Sequence, residues 1–444
     1  MKKTILITVW ILVVGILSGI SIGCNARGHN ANTGFAKTDS TTILENGSYF
    51  DGKTFVPFKE MIIRDGKIVS IGTAAGKTKG QHIALDGKYI IPGLIDAHVH
   101  ISGSPTFPYI YSEPRLNANS SLNCGVTSLI DLFFPEDHFK AMKEQTAKSP
   151  EYYSSLIMSG PILTAPGGHG TEYGVPTRTI TTVGEATTIT NEVIDGGVDV
   201  IKVVYQGYSN KNTLTKEMVK AIVVAAHSRN KKVFVHIDLA AEAMDCIDAG
   251  VDVLAHMPVD SLTDEQLNKI KASGIIIIPT ITPYQSLFEG HGIKYMSDSL
   301  LWQTARPIYL AKFNRSALQK PPLPESFLKI YPSIKFRENL SNCIKMKIPI
   351  LAGTDAGNYA VFFGYSLHNE IEQYVLAGMP ASDAICTATQ NISMVFPGIK
   401  TGKIEAGYDA DLVVLNADPL KDIKNTKSIN MVIHKGAFAK MLSE

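Results

Sequence analysis

The chain has 444 residues, enough for a single large barrel with an appendage or for two or three ordinary domains. Its 45% hydrophobic and 19% charged content is that of a globular protein with ample material for a core. A net charge of +1 gives no field to attract nucleic acid or an acidic surface partner, so neither is expected.

Residues 1–23 carry Lys2 and Lys3, an apolar run from Ile5 to Ile20, and small residues before Cys24, the layout of an export signal peptide. The segment Ser21-Ile22-Gly23-Cys24 resembles a bacterial lipoprotein box, although leucine is more usual where Ser21 stands and a small residue where Ile22 stands. The expectation is an exported protein of the cell envelope, periplasmic or surface-facing, that meets a membrane only through a lipid on Cys24. Plain secretion and a retained anchor are the alternatives. Residues 24–40 have no periodic apolar pattern and read as a polar tether.

Residues 41–89 form short alternating segments broken by turn signals, with a hairpin at Asp65-Gly66 and a turn at Asp86-Gly87. Residues 399–444 read the same way, with DADLVVLN and SINMVIHKG as strands. Each end is too small to bury a core alone, so the two are expected to complete one discontinuous β-sandwich.

Between them, over 90–398, apolar strands alternate with helical segments, the pattern of a parallel α/β fold. The strands are read at Ile90–His100, Val126–Leu132, Ser155–Leu163, Val198–Tyr205, Lys232–Ile237, Val251–Met257, Ile275–Thr282 and Ile348–Gly357. Helical spacing marks Lys216–Ser228, Ala240–Ala249, Asp264–Ala272 and Leu367–Leu376. Eight such units predict a (β/α)8 TIM barrel with its site at the carboxyl ends of the strands. The stretch from Thr282 to Lys347 is too long for a simple crossover and is expected to be a partly helical excursion over the barrel mouth. Apart from Cys24, the cysteines are widely spaced within apolar segments and are read as buried free thiols.

The first strand, IIPGLIDAHVH, ends in two histidines two residues apart, so alternation turns His98 and His100 to one face together with Asp96. Two imidazoles on one face suit a metal, although such a pair also arises by chance at the end of a buried strand. Further strand ends carry Lys202, His236, His256 and Asp355, and in a barrel these converge on one cavity. Three of them have a bland alternative: His256 as a satisfied core residue, Lys202 as a solvated residue at the rim, Asp355 as a helix N-cap. Lys202 is the odd member, because a lysine among β-branched neighbours is costly to bury unless its charge is removed or compensated. Carboxylation by carbon dioxide, giving an anionic lysine carbamate, solves this.

Taken in order, PGLIDAHVH, the lysine in IKVVY, the two strand-end histidines and GTDAG resemble the metal motifs of the amidohydrolase superfamily. The flanking IRDGKIVSIG and TGKIEAGYDADLVVLNADP resemble the two parts of that family's β-sandwich, so the likeness spans nearly the whole mature chain. It implies a metal-dependent hydrolase of carbon–nitrogen bonds. Lys202 resembles the binuclear branch, which implies His98, His100 and Asp355 on one divalent ion, His236 and His256 on the other, and carboxylated Lys202 bridging them, with zinc as the expected metal. A metal-bridging hydroxide would be the nucleophile, and Asp355 would carry the water's proton to the leaving nitrogen.

APGGHG and the run HIDLAAEAMDCIDAGVDVLAH resemble the prolidase-like, imidazolonepropionase-related branch, which includes dipeptidases. On that likeness His169 would contact substrate and Tyr205 would offer its hydroxyl to a carboxylate or oxyanion. The alternatives are a tight turn at Gly167-Gly168-His169 and a packed aromatic at the rim. Two departures stand out: Asp238 replaces a second histidine common in family dipeptidases, and the His-Ala-Asp-Glu signature of the deaminase branches is missing. The expected substrate is a small molecule, a dipeptide or N-acyl amino acid. A cyclic amide, lactone or phosphoester is the alternative on the same centre, and a non-enzymatic solute-binding lipoprotein is the reading from outside the enzymes.

Overall fold

The computed structural model describes residues 41–72, 78–106, 113–207, 212–288, 295–316 and 334–442. The export signal, Cys24 and the tether lie outside the described residues.

The barrel is built from parallel strands Leu94–Val99, Val126–Asp131, Ser155–Met158, Ile201–Val204, Val233–His236, Val253–Ala255 and Ile276–Ile278. Neighbours pair in register, for example Lys202 with Phe234 and His236 with Ala255. The third and fourth strands join through Asp199, whose amide donates to the Met158 carbonyl at 2.9 Å. Closure comes from the 348–357 stretch. Leu351 donates to Ile277 O at 3.0 Å on one side, while Ala97 donates to Ala352 O at 2.9 Å and Asp355 to His98 O at 2.7 Å on the other.

Several predicted strands are shorter than expected. The predicted first strand is in fact two, Tyr89–Pro92 in the β-sandwich and Leu94–Val99 in the barrel. Gly93 divides them, because a Cβ there would collide with the Thr127 side chain. The predicted seventh strand ends at Ile278, and Thr282 belongs to the helix Ile281–Phe288.

The helices Lys216–Ser228, Ala240–Ala249 and Asp264–Ser273 occupy the predicted positions. Their starts follow from local chemistry: Thr215 caps the first, and Thr263 with Gln266 forms a reciprocal capping box on the third. Left-handed Gly250 and Gly274 end the second and third, a conformation that costs glycine nothing. Apolar faces of these helices, including Val219, Ile222 and Leu267, bury against the outward side chains of the strands. Inside the barrel Val200, Phe234, Val253, Ile276 and Leu351 form a separate apolar plug. Val200, Phe234, Val253 and Leu351 each lie before the candidate ligand on their strand, so the plug fills the barrel beneath the strand ends.

Past the helix Ile281–Phe288, the described helices up to 347 are Ser299–Thr304, Pro307–Ser316 and Phe336–Met346. Leu300, Leu301 and Leu310 pack with Cys124, Phe362 and Tyr365, so this part of the excursion lies on the helix layer. Residues 289–294 and 317–333 of this excursion lie outside the described residues. Cys124, Cys246, Cys343 and Cys386 are buried free thiols.

The two ends of the described chain share one β-layer. Leu412–Leu415 pairs antiparallel with Tyr89–Pro92 and with Ile429–His434 in a six-stranded sheet. A four-stranded sheet holds Thr42–Glu45, Glu60–Arg64, Lys67–Gly72 and Gln81–Ala84. Its hairpin turns at Asp65 and Gly66, both at positive φ, which matches the right-handed strand twist. Leu44, Met61 and Ile63 from one end bury with Leu412, Val414 and Ile433 from the other. His434 locks the layer to the barrel: Nδ1 lies 2.7 Å from Asp411 and Nε2 lies 3.1 Å from Ser155 Oγ.

Candidate metal centre

Six side chains converge at the strand ends, and the backbone there departs from regular strand. The ladder of the first strand is irregular between Asp96 and Val99, so alternation alone does not place His98. Asp96 accordingly leaves the expected shared face. It accepts from Thr354 N at 2.9 Å, Thr354 Oγ1 at 2.6 Å and His98 N at 3.3 Å, tying the first strand to the eighth. Asp355 takes φ +58° and His256 φ +141°, regions that L-residues seldom occupy. Gly353 allows the close approach behind them, since a Cβ there would lie 2.9 Å from His98 N.

His98 is wholly buried, with Nε2 3.2 Å from Lys202 Nζ and 3.4 Å from Asp355 Oδ1. His100 Nε2 lies 2.8 Å from the same Asp355 oxygen, close but misaligned for a hydrogen bond. The His256 ring stands between two others, 5.0 Å from His98 and 4.4 Å from His236 by ring centroids. The tightest set of ligand atoms, all within 4.8 Å of one another, belongs to His98, His256 and Asp355. That grouping differs from the pairing of His256 with His236 alone, because His256 bridges the two halves of the cluster.

Burial dominates the electrostatics. It drives His98 and His236 well below the ordinary imidazole range and takes His256 down to about 3. Burial also lowers Lys202 to about 7, although the Asp355 and Asp131 carboxylates oppose the fall. At Asp355 burial pushes upward, but His100, His256 and Lys202 together outweigh it and the carboxyl lies below its usual range. The cluster therefore holds His98, His236 and His256 as neutral imidazoles, an amine close to losing its charge and an ionised carboxylate.

This donor set fits divalent cations. Among the described residues His98 Nδ1, His100 Nδ1, His236 Nε2 and Asp355 Oδ1 are buried without a hydrogen-bond partner, which is costly unless something else satisfies them. Imidazole nitrogen and carboxylate oxygen suit zinc and similar ions. His256 Nδ1 is engaged by Thr280 Oγ1 at 2.6 Å, which leaves its Nε2 to face a cation.

His169 reaches the cluster, with its ring centroid 4.8 Å from that of His236 and Nδ1 2.8 Å from Glu172 Oε1. Tyr205 does not. It lies an odd number of residues past Lys202, so strand alternation turns it toward the helix layer, where its hydroxyl donates to Asp245 at 3.0 Å. The substrate-facing role expected for Tyr205 is corrected accordingly.

Sequence reasoning missed the supports. Asp131 accepts from Ile101 N at 2.7 Å and Phe133 N at 3.0 Å, holding the turn after His100. Asp238 bonds Gln206 beside His236. Thr280 and Glu370 carry no local signal at all.

A parallel barrel with this imidazole, carboxylate and lysine cluster at its strand ends defines a metal-dependent hydrolase. The chain belongs to the amidohydrolase family, whose model matches residues 89–438. Ochratoxinase of Aspergillus niger is 25% identical over 426 residues, covering 84% of this chain and 80% of that protein. Among solved structures, a Xaa-Pro dipeptidase with methionine bound in its active site aligns with a TM-score of 0.72 at 21% identity, covering 90% of this chain and 100% of that one. The crystal structure of A. niger ochratoxinase gives 0.68 at 23% identity, covering 90% and 95%.

Proposed function

We propose that this chain hydrolyses the amide bond of a dipeptide or N-acyl amino acid at a centre of two divalent cations, with zinc as the metal. The observation that carries this reading is the set of buried imidazole and carboxylate atoms that find no hydrogen-bond partner among the described residues, around a buried lysine. His98, His100, His236, His256 and Asp355 would hold the ions, and Lys202, as its carbamate, would bridge them. When bound, such ions polarise a carbonyl and lower the pKa of water. A lysine pulled down to about 7 by burial has a neutral fraction able to add carbon dioxide, and the carbamate's negative charge suits a site between cations.

The chain's own residues supply the proton path. Water adds to the amide carbon while its proton passes to the ionised Asp355 carboxylate. As the carbon–nitrogen bond breaks, Asp355 returns that proton to the leaving nitrogen, so an acid and an amine are released and the carboxylate is restored. His169, held by Glu172 beside His236, would hydrogen-bond the substrate. Support for an amino-acid-containing substrate comes from the dipeptidase-like neighbour with methionine in its active site.

The test is a panel of dipeptides, N-acyl amino acids, hydantoins, lactones and phosphoesters offered to zinc- and manganese-loaded protein. Turnover confined to the first two groups is the expected result. Turnover confined to the others would replace the substrate reading, and none anywhere in fully loaded protein would favour a solute-binding role.

A further inference from the structure

Behind His256 the chain takes a conformation that needs explaining. Thr280, between the seventh strand and the helix Ile281–Phe288, sits at φ +48°. A β-branched residue is poorly suited to this left-handed region, which glycine fills without cost. Stability alone would favour glycine here, so the threonine side chain must be doing something.

Its hydroxyl has two neighbours, His256 Nδ1 at 2.6 Å and the Pro279 carbonyl at 2.8 Å. A hydroxyl carries one proton, and the geometry has it donated to the Pro279 carbonyl, which can only accept. Thr280 Oγ1 must then accept from His256 Nδ1–H. A neutral imidazole has one N–H, so Nε2 is left with its lone pair.

A second group fixes the turn. Glu370, wholly buried on the helix Tyr365–Leu376, accepts from the amides of Ile281 and Thr282 at 2.8 Å each. It also accepts from Thr282 Oγ1 at 2.5 Å and from the Tyr374 hydroxyl at 3.0 Å. The carboxylate thus satisfies the first amides of the helix that begins right after Thr280 and holds the strained residue against His256.

We infer that Thr280, clamped by Glu370, is the positioning residue that fixes the tautomer of His256 and presents its Nε2 lone pair to a cation. The inference rests on the metal-binding reading above. It predicts that loss of the hydroxyl matters while loss of the methyl does not.

The test compares Thr280→Ser with Thr280→Val in the full chain, with Glu370→Gln alongside. Zinc affinity is read by chelator competition. Ring nitrogen shifts are read in 15N-histidine-labelled, metal-stripped protein, with His256→Gln identifying the signal. Thr280→Val and Glu370→Gln should weaken zinc binding about 10–100-fold, the usual effect of losing a partner behind a ligand, and Thr280→Val should mix the His256 tautomers. Thr280→Ser should remain near wild type. Should Glu370→Gln fail to fold, the two Thr280 variants still decide. A wild-type His256 with a proton-free Nδ1, or Thr280→Val binding zinc as tightly as Thr280→Ser, would overturn the inference. Wild type that binds no zinc would sink the metal reading instead, and the nitrogen shifts would still report whether Thr280 sets the tautomer.

Discussion

Lys202 Nζ lies 3.2 Å from Nε2 of His98, a residue 104 positions earlier in the chain. Both side chains are buried, and burial holds the amine near pH 7 rather than at its ordinary value. An uncompensated ammonium in this place would repel the cations that the surrounding imidazoles are arranged to bind.

Lys202→Ala should therefore lose metal and activity together, by at least about 100-fold in turnover given what loss of even an indirect support costs. Small carboxylic acids at high concentration should restore part of both by filling the gap. Metal analysis is the check. A variant that keeps two ions and near-normal turnover would rule out the carbamate bridge and favour a mononuclear site.

Gly353→Ala tests the close approach behind the site. The added Cβ would lie 2.5 Å from Ile278 Cγ2 and 2.9 Å from His98 N. Neither neighbour is a flexible chain end, so the first and eighth strands must part, at a cost of about 1–3 kcal/mol. Chemical denaturation should show that loss, accompanied by weaker metal binding because His98 moves. Unchanged stability and metal content would contradict the packing argument.

Truncation after Pro397 should abolish folding of the whole chain rather than trim an appendage. Leu412–Leu415 is hydrogen-bonded to Tyr89–Pro92, and its removal uncovers Leu44, Met61 and Ile63. It also removes His434, the partner of Ser155 on a barrel strand. A soluble truncated protein with full activity would show that the two ends are energetically independent.

His368 gives a pH test remote from the metal centre. It is buried between Thr426 Oγ1 at 3.0 Å and Cys124 O at 2.9 Å, and burial lowers it from 6.5 to about 4. Because the folded state resists protonation, the unfolded chain binds the proton first as pH falls below 6.5. Stability from this residue is therefore lost on acidification between 6.5 and about 4 and is complete above 6.5. A difference of 2.5 units corresponds to about 3 kcal/mol at most. The stability gap between wild type and His368→Gln, measured in urea from pH 7 to 4, should shift against wild type by up to that amount. A gap independent of pH would refute the assignment.

The export reading is tested at Cys24. Replacing it with serine should release the protein from the membrane fraction on cell fractionation. If the membrane-associated share is unchanged, a retained anchor replaces the lipid.

The sequence alone determined the alternation of strand and helix and marked His98, His100, Lys202, His236, His256 and Asp355 as residues near predicted strand ends. Those are local facts, since an apolar run ending in a polar residue marks a strand end wherever it occurs, and barrel geometry then gathers the ends. The turn of Tyr205 toward Asp245 was also within reach, because its odd spacing from Lys202 on one strand decides its face. Gly93 as a divider between sandwich and barrel was not legible, since its reason is the Thr127 side chain on a neighbouring strand. Nor was the place of Asp96, which depends on Thr354, 258 residues away. Glu370 and Ile281 are 89 positions apart on two different elements, and neither bears any pattern that names the other. Only the closed barrel decided these pairings, because hydrogen bonds to buried carboxylates are fixed by which backbone amides the fold brings within about 3 Å, a distance that no local period encodes.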